Sequence, residues 1–157
     1  MNRDLIEQYE ADGDLPAQAI AGLSKDELIA RPIAGTWSVQ EVVMHLMDSD
    51  LVGTDRMKRV IAEPNPTLLA YDENLWVKNL GYHEQEVALA CEVFRLNRKL
   101  TAAILRRLPD TAFARQGNHT ERGIESLEML VDGYVEHARH HMKFVREKRI
   151  KLGKPLA

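Results

Sequence analysis

Apolar residues recur along this chain at spacings of three and four, the repeat of an amphipathic helix. No stretch alternates convincingly as a half-buried strand does. A first helical region is expected over residues 2–23, starting at Asn2 and interrupted at Asp12-Gly13-Asp14. Pro16 suits the first turn of the restarted helix, where its missing N–H would have no partner. Ser24-Lys25-Asp26-Glu27 has the form of a capping box for a short turn that ends before Pro32. Ser38-Val39-Gln40-Glu41 is a second capping box, with Trp37 and Val42 placed as a hydrophobic staple. The helix it opens carries Val39, Val42, Val43, Leu46, Met57, Val60 and Ile61, and Pro64 and Pro66 end it.

Residues 63–82 lose the helical repeat. A connection of that length is longer than adjacent antiparallel helices need, and it is expected to cross the bundle end with Tyr71, Asp72 and Trp76 near a pocket. A third helix is expected over residues 84–108, with Asn97 the polar exception in its apolar stripe. That amide is either satisfied inside the core or directed into a cavity. Residues 109–123 read as a loop, and a fourth helix is expected over 126–150. Four main helices with one long crossover connection give an all-α chain, a four-helix bundle, folded as a single domain over residues 1–157.

Inside those stripes sit three histidines. His137 and His141 are one turn apart on the last helix, follow Tyr134 and Ala138 by three residues, and so leave the inward face together. His45 lies three residues from Val42 on the buried side of its own helix. If the three meet across the bundle they offer one ion three nitrogens and leave coordination positions open, the arrangement of a catalytic rather than a closed structural metal. Neutral imidazole suits Zn²⁺, Ni²⁺, Fe²⁺ or Cu²⁺, so the ligand set does not name the ion. The alternative is three hydrogen-bonded core histidines. His140 projects away from that face, His83 reads as a helix-start residue, and His119, in the loop before the last helix, reads as a solvated loop residue or, as the alternative, a pocket-rim residue. Asp48, one turn after His45, is a candidate to orient that imidazole, or a solvated charge. Tyr134 is a core residue or a pocket hydroxyl.

Charge changes the picture little. The net charge of −3 argues against nucleic-acid binding as the main activity. The basic residues between Arg139 and Lys154 complement the C-terminal end of the last helix dipole and the acidic N-terminal part. Cys91, the only cysteine, cannot form an intrachain disulfide and is expected to pack as a small hydrophobe. No apolar run reaches membrane-spanning length, and the acidic N-terminus does not read as a signal peptide, so a cytoplasmic location is expected.

The stretch Gly35-Thr36-Trp37-Ser38-Val39-Gln40-Glu41-Val42-Val43-Met44-His45-Leu46-Met47-Asp48-Ser49 resembles the W-S-x-x-E-x-x-x-H-L-x-D signature of the DinB-like superfamily. Glu136-His137-Ala138-Arg139-His140-His141 resembles its second signature, a histidine followed after two residues by a double histidine. The similarity runs through Ala70-Tyr71-Asp72-Glu73 and Trp76, toward the branch that holds bacillithiol S-transferases and predicted metal-dependent hydrolases. It implies a four-helix bundle of DinB-like type, a homodimer, and one divalent metal held by His45, His137 and His141. Where the thiol-transferase branch has a further histidine in the third helix, this chain has Asn97. The expected function is metal-dependent transfer of a low-molecular-weight thiol to an electrophilic small molecule, with that thiol as co-substrate and Zn, Ni or Fe as the ion. Asp48 and Tyr134 are the candidate catalytic residues, and Tyr71, Trp76 and Asn97 the candidate substrate contacts. The alternatives are a metal-dependent hydrolase of an amide or ester, for which no H-E-x-x-H glutamate is present, and a non-enzymatic metal-binding or interaction bundle.

Overall fold

A computed structural model describes residues 3–156, so the expected helix start at Asn2 lies outside the described residues. Among these residues seven α-helices follow one another: α1 (Asp4–Ala11), α2 (Leu15–Ile20), α3 (Lys25–Ile29), α4 (Val39–Ala62), α5 (Glu73–Asn79), α6 (Val87–Arg106) and α7 (Leu127–Lys151). Both capping boxes form as the sequence predicts. At α4 the Ser38 hydroxyl accepts from the Glu41 amide at 3.1 Å, and the Ser38 amide donates to the Glu41 carboxylate at 2.7 Å. Trp37 packs on the core cluster that contains Val42.

The long helices form a four-helix bundle. α4 packs against α6 and α7, and α1 packs against the same two. The side-chain pairs fix the directions. Asp50 meets Asn97 and Thr54 meets Thr101, so α4 and α6 run parallel. Arg56 meets Tyr134 and His45 meets His137, so α4 and α7 run antiparallel. Parallel neighbours cannot be joined by a short turn; the chain must travel back along the bundle before α6 begins, which is why the connection after α4 is long.

That connection is more ordered than its sequence suggests: the mostly helical fold expected from the sequence also carries a small sheet. Strand β1 (Thr67–Leu68) pairs in parallel with β2 (Gln116–His119), which pairs antiparallel with β3 (Gly123–Ser126). The expected loop over 109–123 is thus a 3₁₀ turn at Asp110–Ala114 followed by a hairpin strand. Gly117 makes the pairing possible, because a Cβ there would lie 2.9 Å from the Leu68 side chain. Cys91 is buried, its thiol held up to about 11 by burial, as a small hydrophobe should be. Among the described residues no helix is long and apolar enough to cross a membrane.

The centre of the bundle is polar. The fully buried Arg98 donates from Nε to Asp50 at 2.9 Å, from Nη2 to the Tyr134 carbonyl at 2.8 Å, and from Nη1 to the Tyr9 carbonyl at 3.3 Å. Its guanidinium also lies over the Tyr9 and Phe94 rings at 4.4 and 4.3 Å. Asn97 completes the group by donating to Asp50 at 2.7 Å. Removing one partner leaves the other as an uncompensated buried charge. Asp50→Ala should therefore cost about 3–5 kcal/mol in urea denaturation, whereas the paired Asp50→Leu, Arg98→Met variant should recover most of that loss. Equal destabilisation of single and double variants would show that the pair contributes by its packing alone.

Candidate metal centre

The three inward histidines meet. His45 from the middle of α4 and His137 and His141 from one turn of α7 each present a nitrogen, and these atoms lie within 4.8 Å of one another. The Nε2 atoms of His45 and His137 are 3.1 Å apart. Two nitrogens each about 2.1 Å from a tetrahedral ion stand about 3.4 Å apart, so the pair is spaced as metal ligands are. The donor set fits a divalent transition ion on a second count: His141 Nδ1 is buried with no hydrogen-bond partner. Burial pushes all three rings down, to about 3 for His45 and His137 and about 4 for His141, with the neighbouring histidines adding to the effect. At neutral pH they are uncharged and their lone pairs are free to bind. His140 stacks edge-on against Phe144, outside this group, as its position on the helix predicts.

The walls are aromatic. Trp37 lies 5.0 Å from the His45 ring and is stacked on His141 at 6.3 Å. Tyr134 packs edge-on to His137 at 6.1 Å. Gly53 admits that tyrosine: a Cβ on Gly53 would sit 2.3 Å from its ring. The Tyr134 hydroxyl accepts a hydrogen bond from Arg56 at 3.1 Å.

A cavity of about 610 Å³ opens beside His137, lined among others by Ser49, Arg56, Tyr71, Glu73, His119 and Tyr134. The crossover brings Glu73 here, at the first turn of α5, with its Oε2 3.6 Å from His45 Nε2. Glu73 lies within the Ala70-Tyr71-Asp72-Glu73 stretch, but nothing in its local pattern distinguishes it from a helix-start acid, and it carries no expectation from sequence.

The other expected site residues are placed as follows. Tyr71 and Tyr134 line the cavity. Trp76 packs on Tyr71 at 4.5 Å and lines a neighbouring groove instead. Asn97 is not a pocket residue: its amide is committed to Asp50 and Thr54 in the core. Asp48 accepts from the Tyr82 hydroxyl at 2.6 Å, and no described bond joins it to His45, so the orienting role is not seen. His119, expected in a solvated loop, is buried in β2 because the sheet turns it inward. His83 sits in a 3₁₀ turn, its Nε2 2.9 Å from the Ser38 hydroxyl.

Comparison with known proteins agrees with this geometry. A family model of the DinB superfamily matches residues 8–145, and the chain belongs to that superfamily. A Bacillus mycoides protein named "Putative metal-dependent hydrolase" is 30% identical over 142 residues, 88% of this chain and 82% of its own length. A like-named protein of Oceanobacillus iheyensis is 28% identical over 135 residues, 84% and 78% of the two chains. Among solved structures, YfiT from Bacillus subtilis, described as a probable metal-dependent hydrolase with an unusual four-helix bundle topology, superposes with a TM-score of 0.90. The two are 26% identical, over 96% of this chain and 86% of that one. A DinB-like protein of the same organism, YjoA, matches with a TM-score of 0.65 at 16% identity over 96% and 92%, which shows the shared fold.

The lowered histidine pKa values make stability pH-dependent. Below pH 6.5 the unfolded chain takes up protons that the folded site refuses down to about 3–4. The metal-free protein should therefore lose stability as pH falls from about 6.5 toward 4. The full slope for each histidine is about 1.4 kcal/mol per pH unit, read from urea melts at several pH values. A flat profile across that window would mean that the rings protonate freely in the folded state.

Proposed function

We propose that this chain is a metal-dependent enzyme acting on a small molecule, with His45, His137 and His141 as the metal ligands. The observation that carries this reading is the convergence of three neutral, buried imidazoles at the edge of a cavity. A divalent ion held by His45, His137 and His141 would supply Lewis acidity, making a water or thiol nucleophilic near neutral pH. Glu73 is the base: its carboxylate stands beside the cluster, partly solvent-exposed, and can take the proton of the attacking group and return it to the leaving group. Tyr134, whose pKa is raised by burial, keeps its proton and can donate it toward developing charge.

With water as the nucleophile the reaction is hydrolysis of an amide or ester, and we favour it. The glutamate missing between the two helical histidines is replaced by one from the crossover, and the relatives' names point the same way. Thiol transfer is the second reading, favoured by a cavity of about 610 Å³ that has room for a thiol and its acceptor side by side. The exposed leucines Leu89, Leu96 and Leu100 share one face of α6 and support the expected homodimer.

Two results are expected. Untagged protein should carry near-stoichiometric Zn, Ni or Fe by elemental analysis, lost in the His137→Ala, His141→Ala double variant; absence of metal even after reconstitution sinks the reading. Glu73→Gln should retain the metal and reduce turnover by about 10²–10⁴-fold. Turnover of ester and amide panels without added thiol would select hydrolysis, and strict dependence on a thiol would select transfer.

A further inference from the structure

Three arginines are buried among the described residues, and their partners differ. Arg98 is neutralised by Asp50 at 2.9 Å. Arg149 directs its donors to the carbonyls of Ala19, Ala21 and Lys154. Arg56 is only 4% exposed and has no carboxylate at ion-pair distance among the described residues. Its Nη1 donates to the Tyr134 hydroxyl and its Nη2 to the Leu69 carbonyl at 2.5 Å, while its Nε has no partner. Arg149 also lacks a counter-ion, so what sets Arg56 apart is an unpartnered Nε on a residue that lines a cavity, a donor that an anion bound there would satisfy.

The same cavity has a second unpartnered donor. His119, 2% exposed, accepts at Nδ1 from the Glu121 and Arg122 amides at 3.2 and 3.3 Å. Those two bonds put the ring proton on Nε2, and Nε2 is buried with no partner. Burial and the nearby arginines keep the ring neutral. Arg56 and His119 come from different elements, α4 and β2, and both line the cavity that ends at His137.

We propose that this cavity contains a carboxylate-binding subsite, in which Arg56 and His119 hold one carboxylate of a small-molecule substrate while its reacting bond lies at the histidine cluster. The spacing is set by Tyr134, whose hydroxyl touches Arg56 and whose ring lies 6.1 Å from that of His137. Tyr134 thus stands between the anchor and the histidine cluster. A monoanion is selected over a phosphate dianion because Asp72, Glu73 and Glu121 also line the cavity, and the second lining arginine, Arg122, is engaged by Glu125 at 2.8 Å. The subsite deepens the functional reading above and rests on it only for what happens at the histidine end.

Butyrate, its neutral isostere butyramide and inorganic phosphate serve as probes, titrated into the full-length protein with and without Zn²⁺. Binding is followed by the arginine Nε–H signals in ¹⁵N NMR. Saturable butyrate binding that shifts the Arg56 signal is expected, with butyramide roughly tenfold weaker or worse. Arg56→Met and His119→Asn should each weaken butyrate by roughly tenfold to a hundredfold. The asparagine keeps an acceptor for the Glu121 and Arg122 amides and has no group at the Nε2 position, so it carries the test if Arg56→Met does not fold. Equal binding of butyrate and butyramide, or affinity unchanged in His119→Asn, overturns the subsite; tighter binding of phosphate than of butyrate overturns its carboxylate identity. Butyrate binding that persists in protein unable to take up metal would uphold the subsite while the metal reading fails.

Discussion

Arg98 and Asp50 form an ion pair with almost no contact with water, and the rest of the bundle is arranged around it. Isolated charges at such depth cost several kcal/mol each, and the pair is sustained because each guanidinium nitrogen and both Asp50 oxygens have partners. Those extra bonds are what organise the helices. Tyr9 from α1, Asn97 from α6 and the Tyr134 carbonyl from α7 all converge on the pair, with Asp50 supplied by α4. An apolar centre could slide by one residue at modest cost. A centre in which one guanidinium must reach particular carbonyls on two other helices cannot, since a slip strands a buried charge. The Tyr134 carbonyl is one turn from His137, so the bond that fixes α7 also fixes the height at which its two histidines face His45.

Much of this was legible in the sequence because it is local. Ser38 and Glu41 announce the start of α4 by their own chemistry, and the helical repeat then places His45 on the buried face. His137 and His141 declare their common face by being four residues apart. Each inference needs only the geometry of one helix, and the histidine cluster follows once the bundle brings two such faces together.

What the sequence conceals is non-local. Gln116-Gly117-Asn118-His119 contains no β-branched or large apolar residue, and β1 has only Thr67 and Leu68. These segments are strands because they find each other, so propensity says nothing of them and His119 passes for a solvated residue. Glu73 is hidden for the same reason: an acid in the first turn of a short helix is ordinary, and only the path of the crossover sets it beside His45. Arg56 reads as one more charge on a long helix until the structure shows it enclosed without a counter-ion. Asn97 is the opposite case. A polar residue in an apolar stripe draws attention, yet its amide serves the central ion pair and not the pocket.

The parallel arrangement of α4 and α6 links these observations. Two parallel helices in contact force a long return path, and a path that long needs its own backbone hydrogen bonds; pairing of β1 with β2 supplies them. The paired strand then starts α5 at Asp72, whose side chain caps it by accepting from the Leu75 amide at 3.0 Å, and Glu73 is delivered to the histidines. In a simple up-and-down bundle the loop after α4 would be a few residues long and the histidines would face open solvent. Here the topological demand for a crossover adds Tyr71, Asp72 and Glu73 to a cavity wall whose other side is built by α4, β2 and α7, while the bundle itself brings the three imidazoles together. A segment held by short strands and a single capped helix is the part of such a fold that can change with substrate while the bundle stays the same.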